Sequence, residues 1–362
     1  MRDPLPLQPL RARRRSRRVE LAIVILALLV VALGAYAMRP RLAPAPAQGP
    51  VRSEAAHPEA RPRYLGPVIP GRPGAPTGAA RAAAGVPPSP IVFSFAKFEA
   101  NPALVAGAAS AGAPTLSGES AIVVDLTSKD VLYAKQPRKR QLMASTGKIM
   151  TAIVAAEHAP LDTVIVVPAE ATQIEPNHMG IRTGEQLTVQ ELLYGLLLDS
   201  GNDAAEALAF GVGGRGAAGR AQFIAWMNEK AAALGLRDTR FANPSGLDDP
   251  DQYSTAYDLA VLGAYALGKP ELRKIFATKD AVIAPSKEPG REHGWFNPGN
   301  LNSLLWSYRG AIGIKPGYTE DAGYTLVAAA ERDGRTLVAV TLNSRRHFSD
   351  CTLLFDFGFS RT

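Results

Sequence analysis

A proline-rich stretch limits which part of this chain can form a folded domain. The 362 residues include 13 prolines between Arg39 and Pro90, mixed with alanine, glycine and arginine and with almost no large apolar side chains. Such a composition cannot bury a core, and a run rich in small residues continues to Ala113. We therefore predict a disordered Pro/Ala-rich linker over residues 39–113 and a folded domain over residues 114–362.

An uncharged apolar run at residues 21–38 precedes the linker and follows six arginines within residues 11–18. At 1.5 Å per residue, such a helix spans about 27 Å, which just crosses the hydrocarbon core of a bilayer. The arginines favour a cytoplasmic position for residues 1–20, and therefore a position outside the cytoplasm for the rest of the chain. Ala35-Tyr36-Ala37 also resembles a signal-peptidase site, so the run is predicted to be a transmembrane anchor or a signal segment.

The distribution of charge argues against a nucleic-acid partner, although the formal net charge is +7. Residues 1–90 contain 14 of the 40 lysines and arginines but only four acidic residues, which leaves 26 basic against 29 acidic residues in the remainder. The globular part is therefore slightly acidic, and the basic character belongs to the N-terminal part of the chain.

The cysteine, histidine and glycine patterns indicate no disulfide, metal or nucleotide site. Cys351 is the only cysteine and lies beside Thr-Leu-Leu-Phe, so we expect it to pack in the core. The five histidines show no metal-ligand spacing. Residues 211–216 match G-x-G-x-x-G, but a predicted helix precedes them instead of a strand, so we expect a surface turn. No cofactor is predicted.

Apolar periodicity predicts an α/β (α+β) domain with strands at both ends and helices between them. Expected strands cover residues 121–126, 131–134, 164–167, 311–315, 324–330 and 336–342. Expected helices cover residues 145–158, 188–198, 203–210, 221–234, 255–267 and 348–357. Thr188 and Glu191 fit a capping box at the start of the clearest helix. We predict that the terminal strands meet in one sheet, with an inserted helical subdomain.

A serine and a lysine lie three residues apart where an apolar run begins. If Ser145 opens a helix, Lys148 follows one turn later on the same face, within reach of the hydroxyl. The free N–H groups at the helix start favour an oxyanion beside Ser145. Lys148 can act as a base only if burial or a second cation lowers its pKa. Taken alone, the pattern also fits a helix cap followed by a solvated lysine.

Two further motifs follow in chain order. Ser200-Gly201-Asn202 lies at a predicted helix junction, and Lys315-Pro316-Gly317 lies at the end of a predicted strand. Together with Ser145-Thr146-Gly147-Lys148 they match, in order, the S-x-x-K, S-x-N and K-T-G motifs of penicillin-binding proteins and serine β-lactamases. Three motifs in order, with fitting secondary structure, are a far stronger signal than any one of them.

Other stretches narrow the resemblance to one family. Residues 114–362 resemble the D-alanyl-D-alanine carboxypeptidases, the low-molecular-mass penicillin-binding proteins, most clearly at residues 122–125, 131–134, 193–197, 200–204, 241–247 and 313–315. The resemblance implies a β-lactamase/transpeptidase-like fold, in which helices flank an antiparallel sheet and the active site lies at a helical subdomain. Many of these enzymes also have a C-terminal β-domain, which we do not expect here because the sequence ends at the last predicted helix.

The resemblance implies a role for each motif residue. Ser145 attacks the terminal D-Ala-D-Ala peptide bond of a peptidoglycan stem, forms an acyl-enzyme and releases D-alanine, while Lys148 takes the serine proton. Ser200 relays a proton toward the leaving amine, and the backbone N–H groups of Ser145 and Tyr318 form the oxyanion hole. The implied substrate-binding residues are Asn202, Lys315, Gly317, Tyr318 and Thr319.

The partners implied by the resemblance are peptidoglycan stem peptides and, as covalent inhibitors, β-lactams, while the apolar run at residues 21–38 predicts contact with the membrane. The implied location is the bacterial cell membrane, with the catalytic domain outside the cytoplasm, or the exterior if the N-terminal segment is cleaved. Ordinary structural roles exist for the same residues: Ser200 and Asn202 can cap a helix that starts at Asp203, and Lys315 can be a solvated residue of an edge strand.

Pro316 departs from the family pattern, which usually has threonine there. Proline lacks both the hydroxyl that contacts the terminal carboxylate of the substrate and a backbone donor. A D,D-endopeptidase acting on cross-links, or a catalytically weak, membrane-tethered peptidoglycan-binding protein, is therefore an alternative. A class A β-lactamase is disfavoured, because no glutamate between the second and third motifs has an asparagine four residues later.

Overall fold

The computed structural model describes residues 112–174 and 176–361. The predicted cytoplasmic segment and the predicted membrane or signal segment lie outside this part of the chain, as does almost all of the predicted linker. Within the described ranges, no helix is both long enough and apolar enough to cross a bilayer.

A five-stranded antiparallel sheet forms the centre of the fold, with the strand order β2-β1-β7-β6-β5. Its strands come from both ends of the domain, so the prediction of one sheet that joins the two ends is confirmed. The strands are β1 Ser120–Asp125, β2 Val131–Lys135, β5 Ala311–Thr319, β6 Gly323–Arg332 and β7 Arg335–Ser344. A separate two-stranded sheet pairs β3 Val164–Val166 with β4 Gln186–Thr188.

Eight α-helices lie among the described residues, and most of them are inserted between β2 and β5. They are α1 Lys148–His158, α2 Val189–Leu197, α3 Asn202–Val212, α4 Gly216–Ala233, α5 Ala256–Leu267, α6 Pro270–Ala277, α7 Leu304–Ser307 and α8 His347–Phe359. The predicted capping box is present, because the Thr188 hydroxyl accepts from Glu191 N and the Glu191 carboxylate accepts from Thr188 N. The predicted fold class is therefore confirmed.

Two apolar clusters cover opposite faces of the sheet. On β1, Ile122 and Val124 belong to the cluster that packs against α1 and α5, whereas Ala121 and Val123 belong to the cluster that packs against α8. Side chains alternate between faces along a strand, so a strand covered on both sides is apolar throughout. This arrangement explains the continuous apolar run of β1. Cys351 is fully buried in the α8 cluster, as predicted.

Several predicted boundaries were wrong. Helix α1 begins at Lys148 and not at Ser145, because Ala144–Gly147 form a 3₁₀ turn before it. Helix α4 begins at Gly216, five residues before its predicted start. Strand β5 continues to Thr319, beyond its predicted end at Lys315. Proline and glycine at positions 316 and 317 weaken the strand pattern, but an edge strand tolerates both residues.

Three short elements were not predicted: β4, α6 and α7. Helix α6 starts with Pro270 at its first turn, a position where the fixed φ of proline favours a helix. Strand β4 has three residues and α7 has four, too few to produce a periodic pattern. The G-x-G-x-x-G match at residues 211–216 joins the end of α3 to the start of α4, so it lies between two helices, as expected for a turn.

Candidate active site

The 3₁₀ turn brings the predicted nucleophile and base together. A 3₁₀ turn has three residues per turn, so side chains at positions i and i+3 lie directly above each other. Ser145 is partly exposed, whereas Lys148 is fully buried. The distance from Lys148 Nζ to Ser145 Oγ is 3.0 Å. The expected pairing is therefore present, although its local structure differs from the predicted α-helical start.

The Lys148 side chain ends among three oxygen atoms. Besides Ser145 Oγ, its Nζ donates to Asn202 Oδ1 at 2.6 Å and to the carbonyl oxygen of Ser245. Asn202 Nδ2 donates in turn to the carbonyl of Pro176 at 3.0 Å, which fixes the amide with its oxygen toward Lys148. A neutral amine has two N–H groups and one lone pair. If the two N–H groups point to Asn202 and Ser245, the lone pair faces Ser145.

Burial lowers the pKa of the Lys148 ammonium well below its usual value, and the charge of Lys315 lowers it further. The carboxylates of Asp203 and Glu206 oppose this shift. Desolvation penalises the charged form of a lysine, so the neutral amine gains population near neutral pH. Lys148 was expected to act as a base only if burial or a second cation lowered its pKa, and here both burial and the charge of Lys315 do so.

Ser200 and Asn202 do not cap helix α3. The N-cap is Gly201, which has no side-chain capping bond, and the Asn202 amide is used by Lys148 and Pro176. Ser200 has a positive φ of 63° and is 2% exposed. Its Oγ has no hydrogen-bond partner in the described part of the chain. A buried hydroxyl without a partner costs free energy, and a substrate group bonded to it would remove that cost.

Lys315 is fully buried, so the alternative of a solvated edge-strand lysine is wrong. Burial lowers its pKa to about 7, against the opposing charge of Asp199. Its Nζ donates to the carbonyl of Pro316 at 3.2 Å. The site therefore contains two buried lysines, one on α1 and one on the edge strand β5.

The backbone of β5 lies directly against the nucleophile turn. A Cβ atom on Gly317 would lie 2.7 Å from Ser145 N, so no larger residue fits there without movement. Among the described strands, β5 pairs only with β6; we call its other edge, which has no strand partner, the open edge. Pro316 has no N–H for the ladder, so its backbone groups fit the open edge. Alternate residues point their backbone groups to the same edge, so the Tyr318 N–H also faces the open edge.

The Tyr318 and Thr319 side chains lie at the rim of the active site, at the end of β5. The Tyr318 side chain is 54% exposed. The Thr319 hydroxyl donates to Asp248 Oδ1 at 2.9 Å and accepts from Ala322 N at 3.1 Å. Asp248 and Ala322 thus already form hydrogen bonds with the Thr319 hydroxyl, and the role of Thr319 in substrate binding stays a prediction.

A loop at residues 243–248 completes the site, although no role was predicted for it. It contributes the Ser245 carbonyl to Lys148, and the Pro244 carbonyl accepts from Thr151 of α1 at 2.6 Å. The Asn243 side chain holds the loop, because its Oδ1 accepts from Gly246 N at 2.8 Å and its Nδ2 donates to the Leu247 carbonyl at 2.9 Å. A proline and a glycine flanking a serine are a turn signal that could have indicated this loop.

Gly246 supports the nucleophile turn by close contact. Its φ is +83°, and a Cβ there would lie 2.1 Å from the Ala144 carbonyl oxygen. Gly246→Ala is therefore expected to lower the melting temperature and the acylation rate of Ser145, because the turn must move. Gly235→Ala is the matched control, since Gly235 has a φ of +71° with no atom within 4 Å of an added Cβ. Equal effects of the two substitutions would contradict the close-contact explanation.

The pH profile of acylation should depend on Lys315. Protonated Lys148 cannot accept a proton, so activity is lost as the pH falls through its pKa. Lys315→Gln removes the neighbouring cation, which raises the pKa of Lys148 and moves this acid limb to higher pH. The measurement is the labelling rate with a fluorescent penicillin as a function of pH. Lys269→Gln, at a partly exposed ion pair with Glu157, should leave the acid limb in place; an unmoved limb in Lys315→Gln would contradict the coupling.

These features together define a class of protein. A serine hydroxyl beside a buried lysine, a second buried lysine on an edge strand, and an antiparallel sheet with an inserted helical subdomain are the features of serine enzymes that form acyl-enzymes and react with penicillin. No group of three or more histidine, cysteine, aspartate or glutamate side chains suited to a metal ion occurs in residues 112–174 and 176–361.

The chain belongs to the D-alanyl-D-alanine carboxypeptidase family, because residues 107–346 match the sequence pattern of that family. The resemblance found in the sequence is thereby confirmed. One relative is the D-alanyl-D-alanine carboxypeptidase DacB2 of Mycobacterium tuberculosis, 38% identical over 261 residues, which cover 70% of this chain and 86% of the relative. Another is the D-alanyl-D-alanine carboxypeptidase of Streptomyces sp. strain K15, 33% identical over 68% of this chain and 89% of the relative.

Solved structures show the same fold. The crystal structure of the Streptomyces K15 DD-transpeptidase superimposes with a TM-score of 0.65 at 33% identity, over 68% of this chain and 98% of that structure. A penicillin-binding protein homologue from Mycobacterium tuberculosis superimposes with a TM-score of 0.63 at 37% identity, over 69% of this chain and 94% of that structure. The predicted fold, with its antiparallel sheet and helical insertion, is the fold of these proteins.

Proposed function

We propose that this protein is a serine-type D-Ala-D-Ala carboxypeptidase that removes the terminal D-alanine from peptidoglycan stem peptides. The observation that carries the proposal is the environment of Lys148. Its buried Nζ lies 3.0 Å from Ser145 Oγ, and Asn202 and Ser245 supply acceptors for its two N–H groups. Membership of the carboxypeptidase family supports the substrate class.

In the acylation step, the Ser145 hydroxyl transfers its proton to the neutral Lys148 amine while Oγ attacks the carbonyl carbon of the D-Ala-D-Ala bond. The carbonyl oxygen becomes an oxyanion, which the backbone N–H groups of Ser145 and Tyr318 stabilise. When the tetrahedral intermediate collapses, the C–N bond breaks and the ester forms on Ser145. The departing nitrogen takes a proton and leaves as the amino group of D-alanine.

Ser200 delivers that proton in the proposed mechanism. Its buried hydroxyl has no partner in the described ranges, so it can donate a proton to the leaving amine and accept in return the proton that Lys148 took from Ser145, which leaves Lys148 neutral again. Lys315 supplies positive charge beside the terminal carboxylate, and the carboxylate in turn favours the protonated form of Lys315. Water then hydrolyses the ester with Lys148 again acting as the base.

Pro316 lowers the affinity of this site for a terminal carboxylate, and also for β-lactams, which we propose as covalent inhibitors. The hydroxyl that is usual at this position is missing, whereas Lys315 and the Tyr318 N–H remain. This observation favours a second candidate, a D,D-endopeptidase acting on cross-links, whose scissile bond carries a different group on the leaving side. The alternative that does not depend on catalysis is a catalytically weak protein whose role is to bind peptidoglycan.

The test is incubation of the protein with a fluorescent penicillin, a D-Ala-D-Ala pentapeptide and a cross-linked muropeptide dimer. We expect a covalent label and release of D-alanine, both lost in Ser145→Ala. Cleavage of the dimer without release of D-alanine would favour the endopeptidase. Absence of labelling, release and cleavage in the unmodified protein would overturn the enzymatic proposal.

We further propose that residues 21–38 hold the catalytic domain at the outer side of the bacterial cell membrane, with residues 1–20 in the cytoplasm. The six arginines before the apolar run and the proline-rich stretch after it support this arrangement. Fractionation of cells that produce the full chain, followed by protease treatment of spheroplasts, tests the proposal. A full-length protein in the cytosolic fraction would overturn it, and a shortened protein in the medium would indicate cleavage.

A further inference from the structure

A row of four aromatic side chains leads away from the active site. We define the aromatic row as Tyr318, Tyr324, His347 and Phe348. The ring centroids of successive members lie 4.6, 4.7 and 4.0 Å apart, and the Tyr324 and His347 rings are stacked within 7° of parallel. Tyr318 is 54% exposed and Tyr324 is 42% exposed, so the row presents ring surface to solvent.

The row is continuous with the site of the chemistry. Gly317 lies against Ser145 N, and the next residue, Tyr318, offers its N–H to the open edge of β5 and its ring to the row. Tyr318 pairs with Tyr324 across β5 and β6, and paired residues of antiparallel strands point to the same face. A long substrate with its reacting carbonyl at Ser145 can therefore continue past the end of β5 onto the rings.

The irregular end of the sheet builds the row. The pairing of β6 with β7 shifts by one residue between Tyr324 and Leu326, and Asn343 on β7 has a φ of 47°. Such a bulge redirects the end of a strand and is common near active sites. The chain then turns into α8, whose first residue His347 lies on the Tyr324 ring.

The side chains of the aromatic row are suited to bind an uncharged cyclic ligand. Burial lowers the pKa of His347 to about 4, so the imidazole is neutral near neutral pH. The ring faces of Tyr318 and Tyr324 are apolar, and both residues are exposed to solvent. Aromatic residues with one apolar face and one polar end are frequent in binding surfaces. A saccharide matches this pattern, because it has apolar C–H faces and polar hydroxyl edges.

We infer that the aromatic row binds a sugar of the peptidoglycan glycan strand while the attached stem peptide reacts at Ser145. This inference rests on the proposed function, since it assigns a surface to the part of the same substrate that does not react. The row makes the protein select stems that are attached to glycan over free peptides.

Kinetics with paired substrates test the inference. Tyr324→Ala and the strand-compatible Tyr324→Thr should lower kcat/KM for D-alanine release from a disaccharide pentapeptide by about fivefold to tenfold more than from the free pentapeptide. Trp306→Ala is the matched control, since Trp306 is 51% exposed on α7, and it should affect neither substrate. Equal losses with both substrates, or no loss with either, would overturn the inference. Circular dichroism and melting temperature confirm that each variant folds.

A binding measurement separates this inference from the proposed function. Ser145→Ala protein is passed over immobilised glycan strands from which an amidase has removed all peptides. We expect retention on the glycan and about fivefold weaker retention when Tyr324→Ala is added. Failure of the unmodified enzyme to release D-alanine would overturn the proposed function alone, whereas equal retention of the two proteins would overturn the glycan site alone.

Discussion

Lys148→Met is expected to lower the acylation rate of Ser145 by about 10²- to 10⁴-fold, the range that a positioned general base contributes. Methionine is similar to lysine in length and is apolar, so it fills the buried space without a charge. It cannot accept the proton of Ser145, and no other described side chain lies within hydrogen-bond reach of that hydroxyl. Stopped-flow labelling with a fluorescent penicillin measures the rate.

Two controls separate loss of the base from loss of the fold. Lys148→Met also leaves the Ser245 carbonyl and Asn202 Oδ1 without their donor, so some destabilisation is expected. Lys269→Met, at the partly exposed ion pair with Glu157, should retain full activity. A folded Lys148→Met protein that is labelled at the unmodified rate would show that another group activates Ser145.

Ser145 and Lys148 could be predicted from sequence because two reactive side chains occur there at a fixed short spacing. Ser145 and Lys148 are three residues apart, so either kind of helical turn puts them side by side. Asn202 and Lys315 were expected beside them only from the resemblance. In the structure, Asn202 reaches the site as the first residue of α3. Lys315 reaches it on β5, which lies against the nucleophile turn at Gly317.

Other parts of the site depend on main-chain atoms and on tertiary contacts, which leave little trace in a sequence. The Ser245 oxygen that contacts Lys148 is a carbonyl, which any residue at that position would supply. The bond between Thr319 and Asp248 joins positions 71 apart in the chain. His347 stacks on Tyr324 just after an irregular stretch in which Asn343 has a positive φ, and such a conformation of asparagine has no unique sequence signature.

Pro316→Thr is expected to raise both the acylation efficiency with penicillin and kcat/KM for the pentapeptide by about 10- to 100-fold. The new hydroxyl can donate to the carboxylate of either ligand, and a hydrogen bond to a charged group contributes about 1.5–3 kcal/mol. The backbone can accept the change, because position 316 lies on an edge strand and the regained N–H faces the open edge. Loss of the proline constraint costs about 0.4–1 kcal/mol of stability.

Pro316→Ala distinguishes the hydroxyl from the backbone donor. Alanine restores the N–H and no hydroxyl, so a gain confined to Pro316→Thr identifies the hydroxyl as the missing contact. Equal gains in the two variants would assign the effect to the N–H, and no gain in either would contradict the view that Pro316 limits carboxylate binding. The ratio of pentapeptide to cross-linked dimer cleavage adds a second readout. The dimer for this readout is one with no free carboxylate beside its scissile bond. If the proline selects such substrates, Pro316→Thr raises this ratio, because only the pentapeptide gains the new hydrogen bond.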